Sequence, residues 1–245
     1  MTHLSDVVFL AADTIRSRAY AQALSHAGLT VDRILLVRAA GNKRWGQAND
    51  IVSGNTDFGS LFVPDLNQDL GATCSKISKN VEILQTASIN VPEVVEWLKR
   101  YAPKLVIFSG FGGELVQPGV LCAAGPLLHM HSGWLPDYRG STTLYYSYLN
   151  ERSAGVSAIF LSEEIDTGRI ISRKKYPVPP KRADLDYYYD SVIRADLLVE
   201  TMGLYDSASG TFKSCVGKQV EAAGRVYYII HPVLKHLVLN DVNQD

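Results

Sequence analysis

The residues best placed to do chemistry are His129, His131 and Asp166. The two histidines stand two apart at the end of the apolar run Leu127-Leu128-His129-Met130-His131. Side chains at i and i+2 of a strand share a face, so a strand here projects both imidazoles together. Ser132-Gly133-Trp134-Leu135-Pro136 then breaks the strand, and open α/β sheets keep their ligands at the carboxyl ends of strands. Downstream, the acidic loop SEEIDTG, residues 162–168, offers Asp166 just before Thr167-Gly168. A carboxylate beside an imidazole orients it and favours its charged form. Such a trio can move a proton and stabilise an oxyanion, the two requirements of acyl transfer. It is also a two-histidine, one-carboxylate metal set, so metal-dependent hydrolysis stands beside acyl transfer as a reading of these residues.

The elements that must position this trio follow from the pattern around it. Asp6–Ala12 is a short apolar run of the kind that becomes a buried parallel strand, Thr14–Ala27 has helical spacing with Gly28 as its stop, and Ile34–Val37 is a second strand. This β-α-β opening predicts a parallel sheet. Residues 40–79 read as polar and irregular, with Lys43 and Arg44 in GNKRWG either gripping a phosphate or simply solvated. Asn90-Val91-Pro92-Glu93 reads as a helix start with Asn90 as cap. Leu105–Phe108 is the next buried strand, closed by the glycine-rich turn Ser109–Gly113, where backbone can approach a ligand. Helices are expected at 118–124, 141–149 and 185–202, and strands at 156–161 and 169–176, the second an antiparallel or edge strand. From about Ser207, Gly210, Gly217 and Gly224 separate β-prone pieces such as Arg225–Ile230. The expected fold is therefore α/β, a mostly parallel sheet with helices on both faces, divided into residues 1–205 and a small β-rich extension, 206–245.

Composition narrows the function classes. An apolar fraction of 47% and a charged fraction of 20% are those of an ordinary globular protein, and a net charge of −1 gives no general attraction for nucleic acid. Residues 181–245 hold seven Lys or Arg against nine Asp or Glu, which is unfavourable for RNA in particular. No apolar run approaches the ~18 to 20 residues that span a bilayer, so no membrane partner is expected. The three cysteines are widely spaced without a CxxC, which reads as reduced thiols in a cytosolic protein. Neither GxGxxG after the first strand nor GxxxxGK[ST] occurs, so the usual nucleotide cradles are missing.

HMHSGWLPDYRG, residues 129–140, followed by GVSAIFLSEEIDTGRIISRKKY, resembles the folate-dependent formyltransferases. Their motif is Asn-x-His-x-Ser-x-Leu-Pro-x-x-Arg-Gly with an Asp-Thr-Gly loop downstream. The resemblance is strong from Ser109 to Arg173 and weaker before Leu105. It implies a Rossmann-like catalytic domain that uses 10-formyltetrahydrofolate as formyl donor to an amine. By position, His131 matches the family's catalytic histidine and Asp166 its catalytic aspartate, while His129 stands where the family has a catalytic asparagine. An imidazole can also donate a hydrogen bond to the formyl oxygen. The folate would lie against Gly113, Glu114, Leu115 and Val116 on one side and Glu163, Glu164 and Ile165 on the other. No metal is implied. Among acceptors, the short acidic tail argues against tRNA and the extension against a minimal purine-pathway enzyme. That leaves the sugar N-formyltransferases, which act on nucleotide-linked amino sugars for surface polysaccharide, often as homodimers. A catalytically altered binder of folate or nucleotide sugar is the remaining reading.

Overall fold

The computed structural model of the chain describes residues 1–39, 58–181, 183–219 and 224–243. In chain order the elements are β1 (Thr2–Ala12), α1 (Ile15–His26), β2 (Leu29–Arg38), α2 (Leu70–Ile77), β3 (Asn80–Gln85), α3 (Pro92–Tyr101), β4 (Leu105–Ser109), α4 (Pro118–Leu121) and β5 (Leu127–His131). They continue with β6 (Tyr138–Gly140), α5 (Thr143–Glu151), β7 (Ala154–Phe160), β8 (Ile170–Tyr176), α6 (Asp190–Gly203), β9 (Tyr205–Asp206), β10 (Thr211–Phe212), β11 (Arg225–Tyr227) and α7 (Pro232–Asn243).

Seven strands form one sheet in the order β3-β2-β1-β4-β5-β7-β8. The first five are parallel, and β7 and β8 are added antiparallel at one edge. Alternation along β1 explains why the sheet is covered twice. Val7, Phe9 and Ala11 pack with Tyr20 and Leu24 of α1, Leu144 of α5 and Leu198 of α6. Val8, Leu10 and Ala12 pack with Val94, Trp97 and Leu98 of α3 and Val120 of α4. Strands buried on both faces read as continuous apolar runs, and this α/β architecture follows from them.

Several local expectations are corrected. The stretch read as irregular contains α2, whose start is capped by the Asp69 carboxylate accepting from Ala72 N at 2.9 Å, with Leu70, Cys74 and Ile77 buried on one stripe. Asn90 is not the cap of α3: Val91 takes that place without a side-chain cap. The Asn90 amide instead donates to the Leu115 carbonyl at 2.8 Å and accepts from Gln117 N at 2.8 Å, bracing the turn that follows β4. The helix read over 185–202 is a π-helical turn, Leu185–Tyr189, running into α6. The carboxyl-terminal segment does carry short strands, β10 against β9 and β11 against β6, but it ends in the helix α7 rather than in further strands. The Lys43–Arg44 loop lies outside the described residues. Among the described residues no helix is long and apolar enough to cross a membrane.

Candidate active site

β5 lies between parallel β4 and antiparallel β7, with His129 opposite Ile159 and His131 opposite Ser157. One ligand atom from each of His129, His131 and Asp166 lies within 4.8 Å of the other two. The i, i+2 register thus brings the imidazoles together, and the loop after β7 carries the carboxylate to them.

Each nitrogen of the His131 ring faces a defined neighbour. Nε2 lies 2.7 Å from the Tyr138 carbonyl oxygen, which can only accept, so Nε2 carries a proton and donates it. That leaves Nδ1, 3.3 Å from Oδ2 of Asp166. The same Oδ2 accepts from Gly140 N at 2.8 Å. The bend from β5 to β6 that returns Tyr138 to His131 requires glycine at 133, where a Cβ would stand 2.5 Å from the Tyr138 carbonyl and 2.6 Å from His131 Nε2. Asp166 has a left-handed backbone, φ +52°, a conformation that Asp tolerates better than most residues.

Electrostatically the two histidines differ. Burial pushes His131 below its ordinary value, while Asp166 and the Tyr138 carbonyl push it back up. A neutral His131 therefore presents an Nδ1 lone pair to a carboxylate, an arrangement stabilised when a proton arrives there. His129 is held well below the ordinary histidine value, first by burial and then by the guanidinium charges of Arg194 and Arg16 and by His131. It is a neutral imidazole, and among the described residues its buried Nδ1 has no hydrogen-bond partner.

These residues open on a cavity of about 540 Å³. All seven residues assigned from sequence to the folate line it: Gly113, Glu114, Leu115, Val116, Glu163, Glu164 and Ile165. The Glu114 carboxylate accepts from Ile89 N at 3.1 Å, from the Asn90 amide at 3.1 Å and from the Ser88 hydroxyl, so its side chain braces the loop. Leu115 and Ile165 are exposed and give the cavity apolar lips.

Sequence reasoning missed other members of the site. Arg16, Tyr145, Asp190, Arg194 and Ile229 also line the cavity. Gln219 ties the Asp166 loop in place: its amide donates to the carbonyls of Asp166 at 2.8 Å and Gly168 at 2.9 Å, and its oxygen accepts from Arg139 at 3.0 Å. Gly168 closes the same loop so tightly that a Cβ would lie 1.7 Å from the Phe160 carbonyl. For Arg194 a signal existed, an Asp190–Arg194 pair at i, i+4 inside an apolar helical stripe; for Gln219 there was none.

A sequence model of the formyl transferase family matches residues 17–198. The chain belongs to the formyl transferase family. Its match with the methionyl-tRNA formyltransferase of Syntrophus aciditrophicus is 29% identical over 135 residues, 53% of this chain and 42% of that protein. The formyl transferase fold is shared with a sugar N-formyltransferase from a Shewanella species, at a TM-score of 0.57 and 16% identity over 96% of this chain and 87% of that one. It is shared too with phosphoribosylglycinamide formyltransferase from Anaplasma phagocytophilum, at a TM-score of 0.57 and 14% identity over 94% of this chain and 100% of that one. The chain thus matches less than half the length of its Syntrophus relative. Membership of this family does not favour the metal-dependent hydrolase, although the trio has the composition of a metal set.

Proposed function

We propose that the chain transfers a formyl group from 10-formyltetrahydrofolate to the primary amine of a nucleotide-linked amino sugar, as polysaccharide biosynthesis requires. The observation that carries this reading is the His131–Asp166 pair, with Nε2 committed to the Tyr138 carbonyl and Nδ1 left beside a carboxylate in a ligand-sized cavity. Attack of the amine on the formyl carbon forms one C–N bond and breaks the bond to the folate nitrogen, and one proton passes from the first nitrogen to the second. His131 Nδ1 is the acceptor for that proton and hands it to the departing nitrogen, while Asp166 stabilises the imidazolium between the two transfers. His129, neutral and half-buried, supplies the N–H that the family's asparagine would give to the developing oxyanion. The folate ring is seated between the turn 113–116 and the loop 163–165, whose exposed Leu115 and Ile165 suit a flat apolar face.

The cavity as a whole is lined by six acidic residues, Glu114, Glu163 and Glu164 on the folate side with Asp166, Asp186 and Asp190 elsewhere, against the two cations Arg16 and Arg194. That balance disfavours a polyanion such as tRNA and favours a small molecule. In this reading residues 1–205 carry the chemistry. Residues 206–245 complete the rim, since Lys235 of α7 donates to Asp186 at 2.5 Å and lies 5.2 Å from the Tyr145 ring centre. A homodimer through the exposed Val226, Tyr228, Val233 and Leu237 is part of the proposal. So is a cytoplasmic setting, consistent with free Cys74, Cys122 and Cys215. The test is an acceptor panel. With 10-formyltetrahydrofolate and a set of nucleotide-linked amino sugars, one sugar should be formylated as tetrahydrofolate appears; formylation of methionyl-tRNA and of no sugar would overturn the acceptor assignment.

A further inference from the structure

Two guanidinium groups meet the cavity from helices that the transfer chemistry does not use. Arg16, in the first turn of α1, donates from Nε to the Ser109 hydroxyl at 3.2 Å and from Nη2 to the Gly110 carbonyl at 2.7 Å, so the end of β4 holds it. Arg194 of α6 lies with Nε 2.8 Å from the Asp190 carboxylate and donates from Nη1 to the Met130 carbonyl. Each is anchored through Nε and one Nη. Among the described residues Nη1 of Arg16 makes no hydrogen bond or ion pair, and the remaining reach of the Arg194 guanidinium is toward the Tyr20 hydroxyl.

The charge around them is not balanced. Asp190 is the one acid in contact with either guanidinium among the described residues, against two cations. The consequences are felt locally: burial and Arg194 both lower the pKa of Arg16, and both arginines depress His129. Beside Arg194 the fully buried Tyr20 hydroxyl has, among the described residues, only that guanidinium to pair with, and burial pushes it up to about 12, so it keeps its proton. Two guanidiniums against one contacting acid, with an N–H group of Arg16 free and a protonated hydroxyl beside Arg194, form an arrangement that an anion completes, because charge-assisted hydrogen bonds to carboxylate or phosphate are strong and geometrically matched to Arg.

We propose that Arg16 and Arg194 bind an anionic group carried by the acceptor, a phosphate or a carboxylate, and so hold its amine against His129 and His131. This rests on the transfer reading for the ligand's identity as acceptor and deepens it: a nucleotide-linked sugar brings phosphate, and an amino acid-like amine brings carboxylate. The arginines are positioning residues for the reaction. The acidic lip of Glu163 and Glu164 and the basic interior then act together, the first repelling long polyanions and the second retaining one small anion.

The full chain is titrated with inorganic phosphate and separately with acetate at constant ionic strength, with chloride as control, reading the arginine Nε–Hε resonances by NMR. Saturable shifts of Arg16 and Arg194 with phosphate or acetate, and not with chloride, support the proposal, and the anion that binds tells the two sources apart. Arg16→Gln should weaken that binding about tenfold or more, the loss of one charge-assisted bond. Arg194→Gln tests the second arm and, because it strands Asp190, is paired with Asp190→Asn to preserve the fold. No saturable response to either anion in the wild-type chain, or an equal response in Arg16→Gln and in the Arg194 pair, overturns the proposal. The titration needs neither folate nor amine, so a chain that binds the anion yet transfers no formyl group would refute the transfer reading alone.

Discussion

Replacing Asp166 by asparagine removes one charge and almost no volume, and its effect can be worked from the geometry. The carboxylate lies 3.3 Å from His131 Nδ1. With an effective dielectric of about 20, a full charge at that separation interacts by about 5 kcal/mol. That is a ceiling, because Gly140 N already holds part of the Oδ2 charge and the side chain keeps 12% of its exposure. If about half acts on the imidazolium in the transition state, the barrier rises by about 2.5 kcal/mol, roughly 70-fold in kcat. Asparagine tolerates the left-handed backbone and its oxygen still accepts from Gly140 N, so the loop keeps its shape. Removing the charge that raises His131 moves its titration further down. NMR titration of carbon-13-labelled histidine, with single-turnover rates measured on the same protein, checks both effects. An unmoved His131 titration, or a kcat within about threefold of wild type, would refute the assignment of Asp166 as the charge partner of His131.

Three further outcomes are expected. His129 is half-buried and neutral with its folded pKa far below 6.5, so as pH falls below about 6.5 the unfolded chain takes up a proton that the folded chain refuses. Its contribution is intact above that pH and lost as pH falls toward the folded value; His129→Asn should flatten that part of the slope in urea melts, while equal slopes would show that the fold does not hold His129 neutral. Gln219→Ala leaves the Asp166 and Gly168 carbonyls and buried Arg139 without their partner. At about 0.5 to 1.5 kcal/mol per bond the loss of these three should cost about 1.5 to 4.5 kcal/mol of stability. It should lower kcat while leaving binding of a folate analogue in place, and an unchanged kcat would remove Gln219 from the site. Glu114→Ala frees Ile89 N, the Asn90 amide and the Ser88 hydroxyl, and should raise KM for the folate donor severalfold without altering KM for the acceptor, as read from steady-state kinetics.

The parts of this site that were legible in the sequence are those whose signal is local. The period-two placement of His129 and His131 depends on one strand, and that strand forms over Leu127–His131 as the apolar run suggests. The apolar runs likewise announce β1, β2 and β4, because strands buried on both faces have nowhere to put polar residues. β3 was not read as a strand because it is the edge of the sheet and half exposed, so Asn80, Glu82 and Gln85 mask its pattern. α7 was read as part of a β extension because Tyr227–Ile230 is β-prone, although Pro232 at a helix start was the available cue. Asn90 carries the signature of a cap, yet its amide satisfies the turn around Glu114 and Gln117, a tertiary demand that a local rule cannot weigh. Arg16, Arg194 and Gln219 come from α1, α6 and the segment after β10. Each matters through partners distant in sequence: Arg16 reaches Ser109, Arg194 reaches Met130 and Gln219 reaches Asp166.

The central claim is that this cavity moves a formyl group by way of His131. Transfer of an isotopically labelled formyl group from 10-formyltetrahydrofolate to an amine acceptor, measured with the wild-type chain and with His131→Ala side by side, tests it most directly. The account predicts amine-dependent transfer by the wild type, and loss of that transfer in His131→Ala while the variant still binds a folate analogue. Labelled product formed equally by both proteins, or a wild-type chain that neither binds the folate nor releases its formyl group, would contradict it.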